Sequence, residues 1–223
     1  MAAVRFAVFD ADGTLLDSMS MWDKLDDEFL ARRGIASDPS VNRELHTMFF
    51  EECPAYFRRK FGIQGTDEEI LAEFTQMSAA HYLQDVEEKP GARVLLQAMY
   101  AAGVRMCVAT ASGKDAVAGA LRRLGLAPYI EFVMTCSEAG VGKEDPRIFD
   151  LCAARLGGSR EDTVVFEDAL YALRTAAQAG YRTVAVDDAS VPEEDKTELR
   201  RLAGRYVHRL DELLKNEKWE DIP

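Results

Sequence analysis

A chain of 223 residues is long enough for one large domain, or for a core carrying a smaller insertion. It is 48% hydrophobic and 30% charged, an ordinary globular balance and far from a disordered one. With 27 Lys and Arg against 39 Asp and Glu, the net charge of -12 disfavours nucleic acid and anionic membranes as partners. A small anion held in a locally cationic cleft stays compatible with that charge.

Val4 to Phe9 is a continuous apolar run of the kind that parallel sheets bury on both faces. It halts in Asp10-Ala11-Asp12-Gly13-Thr14, two carboxylates one residue apart followed by a glycine and a hydroxyl. From Asp17 to Glu88 no strand signal is visible. Met21, Trp22, Leu25, Phe29 and Leu30 fall at helical spacing, with Gly34 as a stop. Pro39 and Pro54 bracket a polar segment, Ser40 to Glu52, expected to hold another helix. Asp67 to Leu83 reads as a third amphipathic helix with Thr66 as its N-cap.

Lys89-Pro90-Gly91 then punctuates the chain, and strands alternate with helices. Helices are expected at Ala92 to Ala101, Asp115 to Leu124, Pro146 to Leu156 and Ala169 to Ala179. Strands are expected at Val104 to Ala109, Phe132 to Thr135, Thr163 to Phe166 and Thr183 to Val186. Two more helices are expected near Glu193 to Leu202 and Asp211 to Lys215. Such alternation builds right-handed crossovers and a parallel sheet. The expected fold is therefore α/β: a Rossmann-like parallel-sheet core, residues 1–16 and 89–223, carrying an inserted all-helical cap, residues 17–88.

Cys53, Cys107, Cys136 and Cys152 are scattered with no C-x-x-C pair, the pattern of reduced structural thiols in a cytosolic protein. No stretch reaches the roughly 18 apolar residues of a membrane span, and no basic-then-apolar signal region precedes the first strand. A soluble, cytoplasmic protein is expected; its oligomeric state is not legible.

Polar residues recur where strands end: Asp10 and Asp12, then Thr110 and Ser112, then Lys143 in the following loop, then Glu167 and Asp168. In open parallel sheets, ligands bind outside these ends, so four loops are expected to converge on one crevice. Asp10, Asp12 and Asp168 offer hard oxygen ligands suited to Mg²⁺, whereas His46, His81 and His208 are isolated and form no zinc set. A carboxylate beyond those the metal needs could attack phosphorus, with metal and lysine neutralising the phosphoryl oxygens. Asp12 could protonate the leaving oxygen and later activate water. Thr110 and Ser112 open onto a helix N-terminus, which can be an anion site or merely a cap. Gly140 to Pro146 is no nucleotide-binding loop, because Glu144 follows the lysine where such a loop has Ser or Thr.

Asp10 to Ser18, Val108 to Ser112, Gly142 to Phe149 and Val165 to Asp168 together resemble the four ordered motifs of the haloacid dehalogenase-like superfamily. The helical insertion after the first motif resembles the cap of the branch holding small-metabolite phosphatases and β-phosphoglucomutase. The resemblance implies Asp10 as nucleophile and Mg²⁺ ligand, and Asp12 as general acid/base with its main-chain carbonyl on the metal. It implies Thr110 and the Ala111 amide as phosphoryl binders and Lys143 as charge balance. Asp168 would be a direct metal ligand, with Glu167 nearby or acting through water. Asp17 is expected to cap the first cap helix.

Departures sort the branches. Dehalogenases and phosphonate-cleaving members lack the second aspartate of the first motif, and Asp12 is present here. The mutases carry an arginine grip in the cap, and the matching stretch here, Thr47-Met48-Phe49-Phe50-Glu51, has none. The expected function is Mg²⁺-dependent hydrolysis of a small phosphorylated metabolite, a sugar phosphate or similar polyol, through an aspartyl-phosphate on Asp10. The alternatives are a phosphomutase and, from another class, a non-catalytic binding module. Trp22, Arg43, His46 and Phe50 are the cap residues expected to face the substrate, and Arg58-Arg59-Lys60 is expected to be a solvated helix face.

Overall fold

The computed structural model describes residues 3–36, 41, 44, 45, 48, 52–214 and 219–222. Its centre is β1, Phe6–Phe9, whose four side chains are all buried. On one side it pairs in parallel with β4, Arg105–Thr110, and on the other with β6, Thr163–Glu167. β5, Val133–Thr135, extends the sheet beyond β4; β7, Arg182–Val186, and then β8, Arg205–Val207, extend it beyond β6. The order is β5-β4-β1-β6-β7-β8, with every pairing parallel.

Period-two alternation gives each strand two buried faces. Ala7, Phe9, Val108 and Phe166 face α4 (Ala92–Ala101) and α5 (Lys114–Arg123), where Leu95, Leu96, Met99, Val117 and Leu121 meet them. Phe6, Val8, Cys107 and Val165 face α7 (Arg147–Leu156) and α8 (Leu170–Gln178) through Ile148, Phe149, Cys152 and Ala172. Phe9 and Phe166 stack at 4.2 Å directly beneath the acids that follow them. All four cysteines are buried and none is in a disulfide; Cys107, Cys136 and Cys152 belong to this second layer.

Between the first motif and Lys89 the chain forms α1 (Met19–Ala31), α2 (Cys53–Phe61) and α3 (Asp67–Gln84). Phe29, Phe57 and Phe74, one from each helix, meet at 4.5 to 5.1 Å and make an aromatic centre for this segment. The expected N-cap of α3 is present as a reciprocal capping box: the Glu69 amide donates to the Thr66 hydroxyl, and the Thr66 amide to the Glu69 carboxylate. Arg58 pairs with Asp67 and Lys60 with Glu44, as a solvated helix face does.

Several elements depart from expectation. β2 (Leu16–Asp17) and β3 (Glu87–Glu88) form a two-residue antiparallel ribbon where no strand was expected, because two residues carry no period. Asp17 lies in that ribbon opposite Glu87, and Ser18 takes the N-cap position of α1, so the expected cap by Asp17 is not formed. Pro54 starts a helix rather than bounding one, its missing N–H costing nothing in a first turn. Most of the expected Ser40 to Glu52 helix lies outside the described residues; Val41, Glu44 and Leu45 are helical. Edge strand β8 is short and half polar, and is held by Tyr206 donating to Asp187 at the end of β7. The last expected helix is a 3-10 turn, Leu210–Leu214. α6, Cys136–Ala139, was not expected. No helix among the described residues is long and apolar enough to cross a membrane.

The Lys89-Pro90-Gly91 punctuation is tied into the core twice. The Lys89 ammonium donates to Asp188 at 2.8 Å and to the Asp187 carbonyl at 3.0 Å, while the Leu210 amide donates to the Pro90 carbonyl at 3.0 Å. Gly91 has φ +87°, and a Cβ there would stand 2.4 Å from the Asp211 amide nitrogen. Gly91→Ala is therefore expected to cost about 2 kcal/mol or more and to lower the thermal midpoint by roughly 4–8 °C, measured by calorimetry.

Candidate active site

Sheet register assembles the site. Phe9 stands opposite Val108 on one neighbour and Phe166 on the other, so the residues that follow emerge together at the carboxyl edge. The Asp10 amide donates to the Phe166 carbonyl at 2.9 Å, extending the ladder by one residue and setting Asp10 beside Glu167 and Asp168. Asp10, Glu167 and Asp168 are all buried, and a carboxylate oxygen from each lies within 4.8 Å of the others. Gly13, at φ +83°, lets the turn pass against this group: a Cβ on it would fall 2.2 Å from Asp168 Oδ2. The Thr14 hydroxyl donates to Asp168 Oδ1 at 3.3 Å.

Lys143 reaches the cluster from the loop after α6. It is 4% exposed; its ammonium donates to Asp10 and, at 2.6 Å, to Glu167 Oε1. The site is thus tightly coupled. Burial drives the Asp10 carboxyl above its ordinary range and the Asp12 charge adds to this, while Lys143 pulls it back. Burial pushes the Glu167 carboxyl up to about 8, against the pull of Lys143. Asp168 is raised by burial and then by Asp10 and Glu167. Burial opposes the charge on Lys143, but Asp10 and Glu167 hold its ammonium well above the usual lysine value.

The residues present fit a hard dication. Were all three buried carboxylates ionised, they would exceed the one ammonium by two negative charges, an excess a dication would offset. Glu167 Oε2 is buried without a hydrogen-bond partner. The donors are all oxygen, the set that suits Mg²⁺.

Asp12 sits apart from this cluster. Its carboxylate is held by three hydroxyls: Ser18 Oγ donates to Oδ1 at 2.5 Å, Tyr82 also donates to Oδ1, and Ser112 Oγ donates to Oδ2 at 2.7 Å. Its side chain is therefore bonded outside the three clustered acids, though near enough for its charge to act on Asp10. Thr110 is fully buried at the end of β4, and its Oγ1 accepts the Ser112 amide at 3.0 Å. Ala111 is exposed beside it and borders a cleft of about 190 Å³ that also touches Thr135 and Ser137. All seven expected site residues thus lie at one end of the sheet.

Of the expected cap residues, Trp22 is half-buried and stands edge-on to Tyr82, 6.2 Å between ring centres; Arg43, His46 and Phe50 lie outside the described residues. Thr47, Phe49 and Glu51 of the stretch compared with the mutase grip lie outside them too. Tyr82 was legible only as an apolar position of a helix. Its partner Asp12 is 70 residues away in sequence, and no local pattern links the two.

The comparisons with known proteins agree with this arrangement. A family model described as haloacid dehalogenase-like hydrolase matches residues 4–180. The chain is 28% identical over 209 residues to validoxylamine A 7'-phosphate phosphatase from Streptomyces hygroscopicus subsp. limoneus, spanning 88% of this chain and 96% of that protein. It is 28% identical over 195 residues to hexitol phosphatase A from Escherichia coli K12, spanning 86% and 88%. Among solved structures, CbbY from Rhodobacter sphaeroides in complex with phosphate superposes with a TM-score of 0.80 at 25% identity, covering 94% of this chain and 96% of that one. Phosphatase names among the relatives weigh against the phosphomutase alternative. The parallel sheet, the acids at its carboxyl edge and the family match over most of its length make this chain a member of the haloacid dehalogenase-like hydrolases, in their small-metabolite phosphatase branch.

Proposed function

We propose that the protein is a Mg²⁺-dependent phosphatase of a small phosphorylated sugar or polyol, with residues 17–88 acting as its cap. The observation that carries this proposal is the unequal environment of two acids one residue apart. Asp10 lies in an over-charged buried cluster with Lys143, while Asp12 is held in a separate ring of hydroxyls. Support for the substrate class comes from relatives named as phosphatases of validoxylamine A 7'-phosphate, of hexitols and of phosphorylated carbohydrates.

Asp10, Asp168 and Glu167 would hold Mg²⁺, with the main-chain carbonyl of Asp12 as a further ligand. When bound, the ion supplies positive charge to the phosphoryl oxygens and offsets the excess of carboxylates. The chain's own residues do the rest. One Asp10 oxygen attacks phosphorus as the bond from phosphorus to the leaving oxygen breaks, and the proton on Asp12 passes to that oxygen. Asp12, now a carboxylate, takes a proton from water as its oxygen attacks phosphorus, and the bond to Asp10 breaks. Phosphate is released and both acids return to their starting states. Thr110 Oγ1 and the Ala111 amide bind the phosphoryl oxygens, and Lys143 keeps Asp10 ionised and balances charge. Water, rather than a second hydroxyl of the sugar, is the acceptor. Closure of the cap would exclude bulk solvent during transfer.

Purified protein with Mg²⁺ is expected to release inorganic phosphate from members of a panel of sugar, polyol and nucleotide phosphates. Asp10→Asn should lower that release at least a thousandfold, on the order of other nucleophile losses. Isomerised sugar phosphate that depends on an added bisphosphate, with little free phosphate, would instead mark a mutase. Millimolar Mg²⁺ is expected to raise the thermal midpoint by a few degrees and EDTA to reverse this. Asp168→Asn should remove most of that shift, and an unchanged shift in the variant would place the ion elsewhere.

A further inference from the structure

We propose that Tyr82, on the last turns of α3, is a positioning residue for Asp12: its hydroxyl holds the carboxylate in the orientation from which protons are transferred. Seating of α3 against the core thereby becomes a condition for proton transfer. The proposal rests on Asp12 being the proton carrier.

Tyr82 is fully buried, yet its hydroxyl is not spent on packing. It donates to Asp12 Oδ1 and lies 3.3 Å from Ser112 Oγ. A phenol has a single proton, and here it goes to the acid. Phe in this place would pack as well, so the hydroxyl is the part that packing leaves unexplained. The three donors on Asp12 come from three different parts of the chain: Ser18 before α1, Tyr82 on α3 and Ser112 in the loop after β4. Oδ1 is held by two of them and Oδ2 by the third, so the carboxylate cannot turn about its Cβ–Cγ bond without breaking at least one.

The position of Tyr82 is in turn set by the contact between α3 and α5. Arg123, in the last turn of α5, donates from Nε to the Tyr82 carbonyl at 3.2 Å and from its terminal nitrogen to the Val86 carbonyl. One guanidinium thus binds the Tyr82 carbonyl, an orphan acceptor in the last turn of α3, and the Val86 carbonyl just beyond the helix. Gly119 on α5 makes room for this approach: a Cβ there would stand 2.9 Å from Leu83 Cδ2. An ångström of displacement of α3 moves the phenol off Asp12, and misplacement of that size is enough to depress a proton-transfer step strongly.

The test uses two aryl phosphates of the same shape. Phenolate is basic and needs a proton as it leaves; 4-nitrophenolate does not. Comparing kcat/KM on phenyl phosphate and 4-nitrophenyl phosphate isolates transfer to Asp10 and its dependence on proton donation. Tyr82→Phe is expected to lower kcat/KM on phenyl phosphate about tenfold and to stay within about twofold on 4-nitrophenyl phosphate. Asp12→Asn should show the same selectivity with a larger loss, and the double variant should lose no more than Asp12→Asn alone. Should Tyr82→Phe not fold, Arg123→Gln displaces the end of α3 without touching the cleft and is expected to show the same selectivity. If Asp12→Asn is selective while Tyr82→Phe lowers both substrates equally or neither, the role of Tyr82 is overturned alone. If Asp12→Asn itself shows no selectivity, Asp12 is not the proton carrier, and the role of Tyr82 falls with it. Absence of hydrolysis of both esters by the parent enzyme overturns both.

Discussion

Burying Asp10, Glu167 and Asp168 around the single ammonium of Lys143 sets the terms for the rest of the molecule. Removing a charge from water costs several kcal/mol even after relaxation, and one lysine cannot offset three such losses. No local segment could hold such a group together. It persists because each acid is at the end of a strand whose other residues are buried on both faces, so the core's apolar gain opposes the repulsion at its edge. Fixed strand register then prevents the acids from spreading apart, since a one-residue slip would turn every core side chain of that strand to the wrong layer. The site is expensive because it is rigid, and that rigidity is what lets it hold a cation and a transferring phosphoryl group in one geometry.

Two acids separated by one alanine receive opposite surroundings. Asp10 is pressed against an ammonium and other carboxylates; Asp12 is hydrogen-bonded by three hydroxyls. A shared turn would otherwise give the pair similar chemistry, and different environments are what divide attack from proton transfer. Gly13 makes the division geometrically available. Its positive φ reverses the chain within reach of Asp168, and its missing side chain leaves the space that Asp168 occupies.

Most of the core was legible because its signals are local. Apolar strands of three to six residues are separated by helices, most of about ten, from Lys89 onward, and the polar residues at the ends of β1, β4 and β6 mark the same edge of the sheet. Asp10, Thr110, Lys143, Glu167 and Asp168 could be named from position alone. What escaped were features with no period or no local partner. The ribbon of Leu16–Asp17 with Glu87–Glu88 is too short to alternate, and β8 is recognisable only beside β7. Ser18 closed the first motif with no role of its own, and only its distance to Asp12 supplies one. Tyr82 looked like core because it is core; the atom that matters is the one at the tip of its ring. Hydrogen bonds across 70 or 100 residues leave no trace in composition or spacing.

The clasp of Arg123 on the Tyr82 and Val86 carbonyls also has a mechanical meaning. It pins one end of an 18-residue helix to the sheet-bearing part of the chain, and the Thr66 end lies about 24 Å further along the helix axis. A swing of this helix would have its fulcrum at the clasp, so displacement grows along the lever, at about 1.5 Å of arm per residue. Parts near Tyr82 would hardly move, and parts near Thr66 would sweep furthest. Substitutions at the far end could then reshape what the cleft admits while the fulcrum stays still. Selectivity could drift over evolution at one end of the lever without disturbing the chemistry at the other.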